Sequence, residues 1–259
     1  MVKGLYAAYT GMLNEQNRLD VITNNLANSD TNGYKKEGAT SQAFDSVLAY
    51  KIKDASEASK LAKNIGTMNL GVKIGENYTD FSQGSFKVTG NDLDLAISGN
   101  GFFTVEFTNK DGETSTKYTR DGAFSMLSSG YLVTKDGDYL LDDTGSRIRI
   151  DPTQDVVVDT QGHVIQSDTT LATIGVADFE DYDYLEHYGE NYFDTVDGAT
   201  RNTMPEYSIY QGYIEASNVQ VVQEMVEMIS VQRQYESNQK IITTTDDTLE
   251  IASTQLGRV

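Results

Sequence analysis

Chemistry in a folded chain needs a nucleophile, a base that titrates near neutral pH, or a set of metal ligands. This chain has few of them: of its 259 residues none is cysteine, and the only histidines are His163 and His187. Without cysteine there are no thiolate metal sites, no disulfides and no thiol catalysis. The two histidines fall on different predicted segments, so a Ser–His–Asp arrangement would rest on one imidazole with no pattern around it; both read as ordinary surface residues. Gly99-Asn100-Gly101 leads into Phe102 and Phe103, a strand rather than a helix N-terminus, so it is not a phosphate cradle. The tip Asp136-Gly137-Asp138 lacks the spaced ligands and closing glutamate of a calcium loop. Carboxylates are too plentiful for any pair to stand out as a glycosidase acid and base. No catalytic residue, cofactor site or metal site is assigned, and the chain reads as a protein that is not an enzyme.

Composition narrows the partners. A formal charge of −19 argues against nucleic acid or an anionic membrane, both of which need clustered Lys and Arg. No run approaches the roughly 18 apolar residues of a membrane span, so direct membrane insertion is not expected. Met1 to Leu13 carries one Lys and no unbroken apolar core, which does not resemble a cleavable signal. The apolar share of 38% is low for a globular chain and points to apolar surface buried between copies.

The elements that remain are built for packing. Met228, Val231, Tyr235, Asn238, Ile242, Thr245, Leu249, Ala252 and Leu256 recur at alternating steps of three and four, the seam of a coiled coil. The surrounding stretch from Ser217 to Leu256 has no Gly or Pro and predicts one helix, roughly 60 Å long. Ser217 and Gln220 fit a capping box at its start. Val219, Val222, Val226 and Ile229 add apolar positions beside the seam. At the other end Leu5, Ala8, Met12, Glu15, Leu19, Ile22 and Leu26 follow the same alternation, broken only by Glu15. Gly4 and Gly11 weaken that helix by up to about 1 kcal/mol each, so it depends on packing. Two seams at opposite ends of one chain suggest that they pair.

Between them the pattern changes twice. Residues 37 to 75 are weakly patterned: Phe44, Val47 and Leu48 suggest a short helix or turn, and Lys51 to Lys63 alternates charge with Ala and Ser, an arm ordered by its neighbours. From Tyr78 to about Ile174 the period is two, punctuated by Asn100-Gly101, Ser129-Gly130, Asp136-Gly137, Thr144-Gly145 and Gln161-Gly162, which predicts antiparallel hairpins. Residues 178 to 197 are acidic and tyrosine-rich, without Lys or Arg, and read as a solvated loop. The fold class is therefore α+β: long terminal helices paired as a coiled coil around a central antiparallel β domain. The expected divisions are 1–33, 34–77, 78–207 and 208–259.

Four stretches carry a resemblance. Asn25 to Lys36 reads N-L-A-N-S-D-T-N-G-Y-K-K, Asp92 to Phe103 D-L-D-L-A-I-S-G-N-G-F-F, Tyr118 to Phe124 Y-T-R-D-G-A-F, and Tyr210 to Val219 Y-Q-G-Y-I-E-A-S-N-V. In this order they resemble the signatures of the rod and hook axial proteins of the bacterial flagellum. The first motif singles out Asn25, Leu26, Ala27, Asn28, Thr31, Gly33 and Tyr34. The interval from Gly33 to Gly101, with an arm near residues 46 to 75, is similar to that of the distal rod type. The resemblance implies a subunit of the basal-body rod, exported through the flagellar type III apparatus without cleavage and stacked helically into a hollow tube that transmits torque. Its implied partners are further copies of itself, the proximal rod and hook subunits, the export apparatus and the ring proteins around the rod. The implied assembly seam is Leu5, Ala8, Met12, Leu19, Ile22, Leu26, Met228, Val231, Tyr235, Ile242, Leu249 and Leu256. A proximal-rod or hook-type subunit is the alternative; a secreted β-rich binding module or enzyme is a third reading.

Overall fold

The computed structural model describes residues 2–51, 63–110, 112–189, 191–204 and 206–256. The middle of the charge-alternating arm and the side chain of Leu256 lie outside the described residues. The structure is α+β, with a long helix near each end, antiparallel strand pairs between them, and two compact units. One unit gathers Met1–Leu26, Glu37–Thr79 and Val221–Val259; the other comprises Ala27–Lys36 and Asp80–Gln220.

The helical unit contains α1 (Val2–Ala27), the strands β1 (Glu37–Ala43), β2 (Val47–Lys51), β3 (Lys63–Met68) and β4 (Val72–Thr79), and α2 (Val221–Leu256). β1 pairs with β4 through a register shift between Ala39 and Ser41, and β2 pairs with β3. Val47 and Leu48 thus enter β2 rather than the short helix or turn that their spacing suggests, and Phe44 lies in the connection between β1 and β2. The local pattern is weak because β1 and β4 find each other across some thirty residues, and only the pairing supplies the backbone hydrogen bonds.

α2 starts at Val221, four residues after the capping box expected at Ser217. The intervening backbone is already committed: Ala216 N–H donates to Ser85 O at 2.9 Å, and Ser217 Oγ accepts from Val219 N–H at 3.3 Å. Ser217 makes a local turn instead of a cap.

The β unit runs β5 (Phe86–Val88), β6 (Leu95–Gly99), β7 (Phe102–Thr108), β8 (Thr114–Thr119), β9 (Ser125–Met126), β10 (Leu132–Val133), β11 (Tyr139–Leu140), β12 (Val157–Val158), β13 (His163–Gln166), β14 (Thr169–Thr173), β15 (Val176–Ala177), β16 (Leu185–Tyr188), β17 (Tyr192–Thr195), β18 (Tyr207–Gln211) and β19 (Tyr213–Glu215). Its largest sheet has the order β16-β17-β8-β7-β11-β10-β9, and β15 shares one edge of β7 with β11. Smaller pairings join β12-β13-β14, β18-β6 and β19-β5. β7 is buried on both faces. Phe103 and Val105 enter one core with Leu95, Ile97, Leu140 and Ile174, while Phe102 enters a second with Tyr118, Phe179 and Phe193.

Residues 178 to 197 are not a solvated loop. They form a short 3-10 turn and the β16–β17 hairpin, which pairs with β8. Most of its acidic side chains are outside, Asp178 being buried, while Phe179, Leu185 and Phe193 enter one core and Tyr192 the other. Two of its four tyrosines are tied to carboxylates. Tyr182 OH donates to Asp178 Oδ1 at 2.7 Å, and Tyr192 OH donates to Asp138 Oδ2 at 2.7 Å. Burial and then the Asp178 hydrogen bond push the Tyr182 phenol up to about 12.

Candidate assembly interface

In the helical unit the faces of α1 and α2 are read from their burial and side-chain contacts. Along α2 the less exposed positions are Glu224, Glu227, Met228, Val231, Tyr235, Asn238, Ile242, Thr245 and Ala252, which apart from Glu227 fall at steps of three, four or seven. Val231 is buried, Met228, Tyr235 and Ile242 are half-buried, and Leu249 is exposed. On α1, Ala8 and Ile22 are buried, while Leu5, Met12, Leu19 and Leu26 are half-buried.

Polar groups set how the two helices meet. Arg18 Nη2 lies 3.1 Å from Glu227 Oε1, and Asn25 Nδ2 lies 3.4 Å from Glu224 Oε2. The Gln234 amide nitrogen, in the orientation its neighbours require, reaches Glu15 Oε2 at 3.2 Å. A Cβ on Gly11 would sit 3.0 Å from Asn238 Nδ2, so this glycine leaves room for the amide. Rising numbers on α1 meet falling numbers on α2, so the helices pass in opposite directions. The surface ion pairs contribute less than about 1 kcal/mol each and serve register more than stability.

The motif at the end of α1 divides its work. Asn25 is buried and its amide pairs with the backbone of Glu37, donating to its O at 2.8 Å and accepting from its N–H at 2.9 Å. The side chain thus imitates a strand partner and anchors the first residue of β1 to the helix. Asn28 accepts from Thr31 through both backbone and side chain, closing the turn, and Ala27 is exposed. Gly33 N–H donates to Glu215 O at 2.8 Å with φ of 69°, and a Cβ there would lie 2.4 Å from the Arg120 carbonyl carbon. Only glycine fits that approach. Tyr34 is fully buried, edge-on to His187.

The residues that explain the four sequence motifs lie in the β unit. Glu215, 1% exposed, receives Lys35 Nζ at 2.6 Å and Arg120 Nη1 at 3.2 Å. Gly84 N–H donates to Glu215 Oε1 at 2.9 Å. Lys35 also donates to Ser82 O, and Arg120 Nη2 donates to Gly99 O at 2.8 Å while stacking over Phe102. Gly122 packs so closely on Leu95 that a Cβ would sit 1.6 Å from its carbonyl oxygen. Each motif therefore contributes to one buried cluster: Lys35 from the first, Gly99 and Phe102 from the second, Arg120 and Gly122 from the third, Glu215 from the fourth. Burial pushes the Lys35 ammonium below its ordinary value; Glu215 opposes that shift and Arg120 adds to it. One carboxylate facing two cations in a buried interior is a lock that ties the four motifs together. In the sequence these residues stand inside the four motifs with no role assigned to them. Their signal was a charged side chain embedded in each glycine-rich or apolar motif.

The histidines sit apart from this cluster's chemistry. His163 Nδ1 is 3.0 Å from Thr173 Oγ1 in the β13–β14 pair, and His187 packs edge-on against Phe193. Both are half-buried packing residues rather than surface ones.

Comparison with known proteins matches three family descriptions to the chain. Residues 5–35 match the flagella basal body rod protein, residues 96–166 the D1 domain of the flagellar hook protein FlgE/F/G, and residues 210–255 the C-terminal region of the flagellar basal body rod FlgEFG protein. The chain is 34% identical to the flagellar basal-body rod protein FlgF of Caulobacter vibrioides, over 100% of both chains. It is 35% identical to the flagellar basal-body rod protein FlgG of Bacillus subtilis, over 96% of this chain and 97% of the relative. It is 31% identical to the flagellar hook-basal body complex protein FlhO of the same organism, over 100% of both.

Proposed function

Because this chain belongs to the flagellar basal-body rod protein family, we propose that it builds the rod through the exposed apolar faces of its two terminal helices. The chain is a structural, non-enzymatic subunit of the basal body, assembling with its own kind and with other rod and hook proteins. One observation carries the proposal. After α2 has turned its seam towards α1, it still presents Val222, Val226 and Ile229 at 77%, 63% and 51% exposure, with Met225 beside them. α1 likewise leaves Tyr6, Tyr9 and Leu13 exposed at helical spacing. Each such side chain contributes roughly 1.5–3 kcal/mol when fully buried, so helices apolar on two faces favour neighbours on the second. A head-to-tail contact of this kind closes into a helical tube rather than a dimer.

On this reading α1 and α2 pair as a coiled coil within the tube wall, and Leu249, exposed in the single chain, is covered by a neighbour. Full-length similarity to FlgG proteins supports a FlgG-type, distal place; similarity to the FlgF relative makes the proximal place the alternative. Export through the flagellar apparatus without a cleaved signal, and rings around the finished rod, follow from the same role.

Electron microscopy of purified protein under assembly conditions tests the contact. Parent protein is expected to form tubes with a helical repeat, and V226D to remain monomeric. Tubes from V226D with unchanged repeat would remove the helix face as the contact. Complementation of strains lacking either rod subunit separates the distal from the proximal place.

A further inference from the structure

The chain crosses between its two units after Leu26, Lys36, Thr79 and Gln220. On the β unit's own side, two of those four departures are hydrogen-bonded to one side chain, which sits beside a third. Asn218 Oδ1 accepts from Lys36 N–H at 2.7 Å, and Asn218 Nδ2 donates to Asp80 O at 2.8 Å and to Ser82 O at 3.1 Å. Asn218 itself lies two residues before the α2 segment departs. Asp80 N–H donates to Lys36 O at 2.8 Å, which joins the other two segments directly. Ser82 O in turn accepts from Lys35 Nζ, linking the group to the buried ion cluster.

The chemistry of this point selects an amide. A single planar group must supply one acceptor and two donors in opposed directions. Aspartate keeps the acceptor and loses both donors; alanine loses all three; glutamine places the same atoms a methylene further out. The position itself is only half-buried.

We propose that Asn218 is a junction pin, a positioning residue that gathers three of the four connecting segments, those that lead to β1, from β4 and to α2, at one spot on the β unit. The proposal rests on the rod-subunit reading for its consequence in assembly, but the pin itself is visible in the single chain. It predicts a separation of effects: loss of the pin frees the connections without loosening the β core.

Two variants and two measurements test it. In N218A, amide exchange at Lys36 is expected to accelerate at least tenfold, with exchange at Phe103 and Val105 unchanged. In N218D, which retains an acceptor, Lys36 exchange stays within about threefold of the parent. Both variants lose the donors to Asp80 and Ser82, so both are expected to need at least tenfold more protein to polymerise. Lys36 exchange unchanged in N218A, or core amides accelerating as much as Lys36, would overturn the pin. Parent-like polymerisation of both variants would overturn its role in assembly. A parent chain that fails to form tubes would instead count against the rod reading and leave the exchange result standing.

Discussion

The two units of this molecule solve the burial problem in opposite ways. The β unit hides large side chains on both faces of β7 and locks its motifs with a carboxylate between two cations. In the helical unit the buried apolar residues on the described helices are Ala8, Val21, Ile22 and Val231, and its other buried helix positions are Asn14, Asn25 and Glu224. The β unit keeps exposed apolar side chains too, Val88 and Met204 among them, but the helical unit sets its own against a far smaller buried core. The difference teaches that most of the burial a single chain achieves lies in the β unit.

The sharpest way to break that contrast is to remove the lock. E215A strands Lys35 and Arg120 as buried cations without their carboxylate, and is expected to cost about 3–5 kcal/mol of β-unit stability. Urea unfolding followed by circular dichroism measures it, and a loss below about 1 kcal/mol would show the cluster to be solvated. Next, I22A removes the one large aliphatic side chain that α1 buries. A cost of about 2 kcal/mol, at the low end for buried isoleucine, is expected in the helical signal of the same experiment, since half-buried surroundings collapse readily.

A third test uses pH. Burial, with the Asp178 hydrogen bond, pushes the Tyr182 phenol from its ordinary 10.0 up to about 12 in the folded chain. A raised phenol pKa means that the folded state holds its proton longer, so its contribution is whole below pH 10 and is lost as pH rises from 10 to 12. Thermal melts across that window should fall more steeply in the parent than in Y182F. The smallest stability effect belongs to V226D. On an exposed helix face it should change monomer stability by no more than about 0.5 kcal/mol, although it is expected to prevent polymerisation.

What could be read without coordinates follows the same division. Helix periodicity is a local property of side-chain spacing, so the three-four series from Met228 to Thr245 can be read along α2, whereas what faces it cannot. The hairpins were legible from Gly-containing turns for the same reason. The ion cluster was not. Lys35, Arg120 and Glu215 each look like surface charge until the fold brings them together, and no local period links residues 95 and 180 positions apart. The β1–β4 pair was missed on similar grounds, and the acidic tyrosine-rich stretch was misread because its charges concealed the buried apolar residues among them. Leu249 shows the converse. Its spacing puts it on the seam, yet it is exposed in the single chain, since spacing specifies a face and not who covers it.

The cluster also governs when the β unit can form. Glu215 is 180 residues from Lys35, and Gly33 cannot make its bond to the Glu215 carbonyl until that residue is present. Closing so long a loop delays the reward for the entropy already spent, and topologies of this kind fold slowly. A chain that emerges from a narrow channel with either end first would stay open until nearly its whole length had passed, and would then shut in one step.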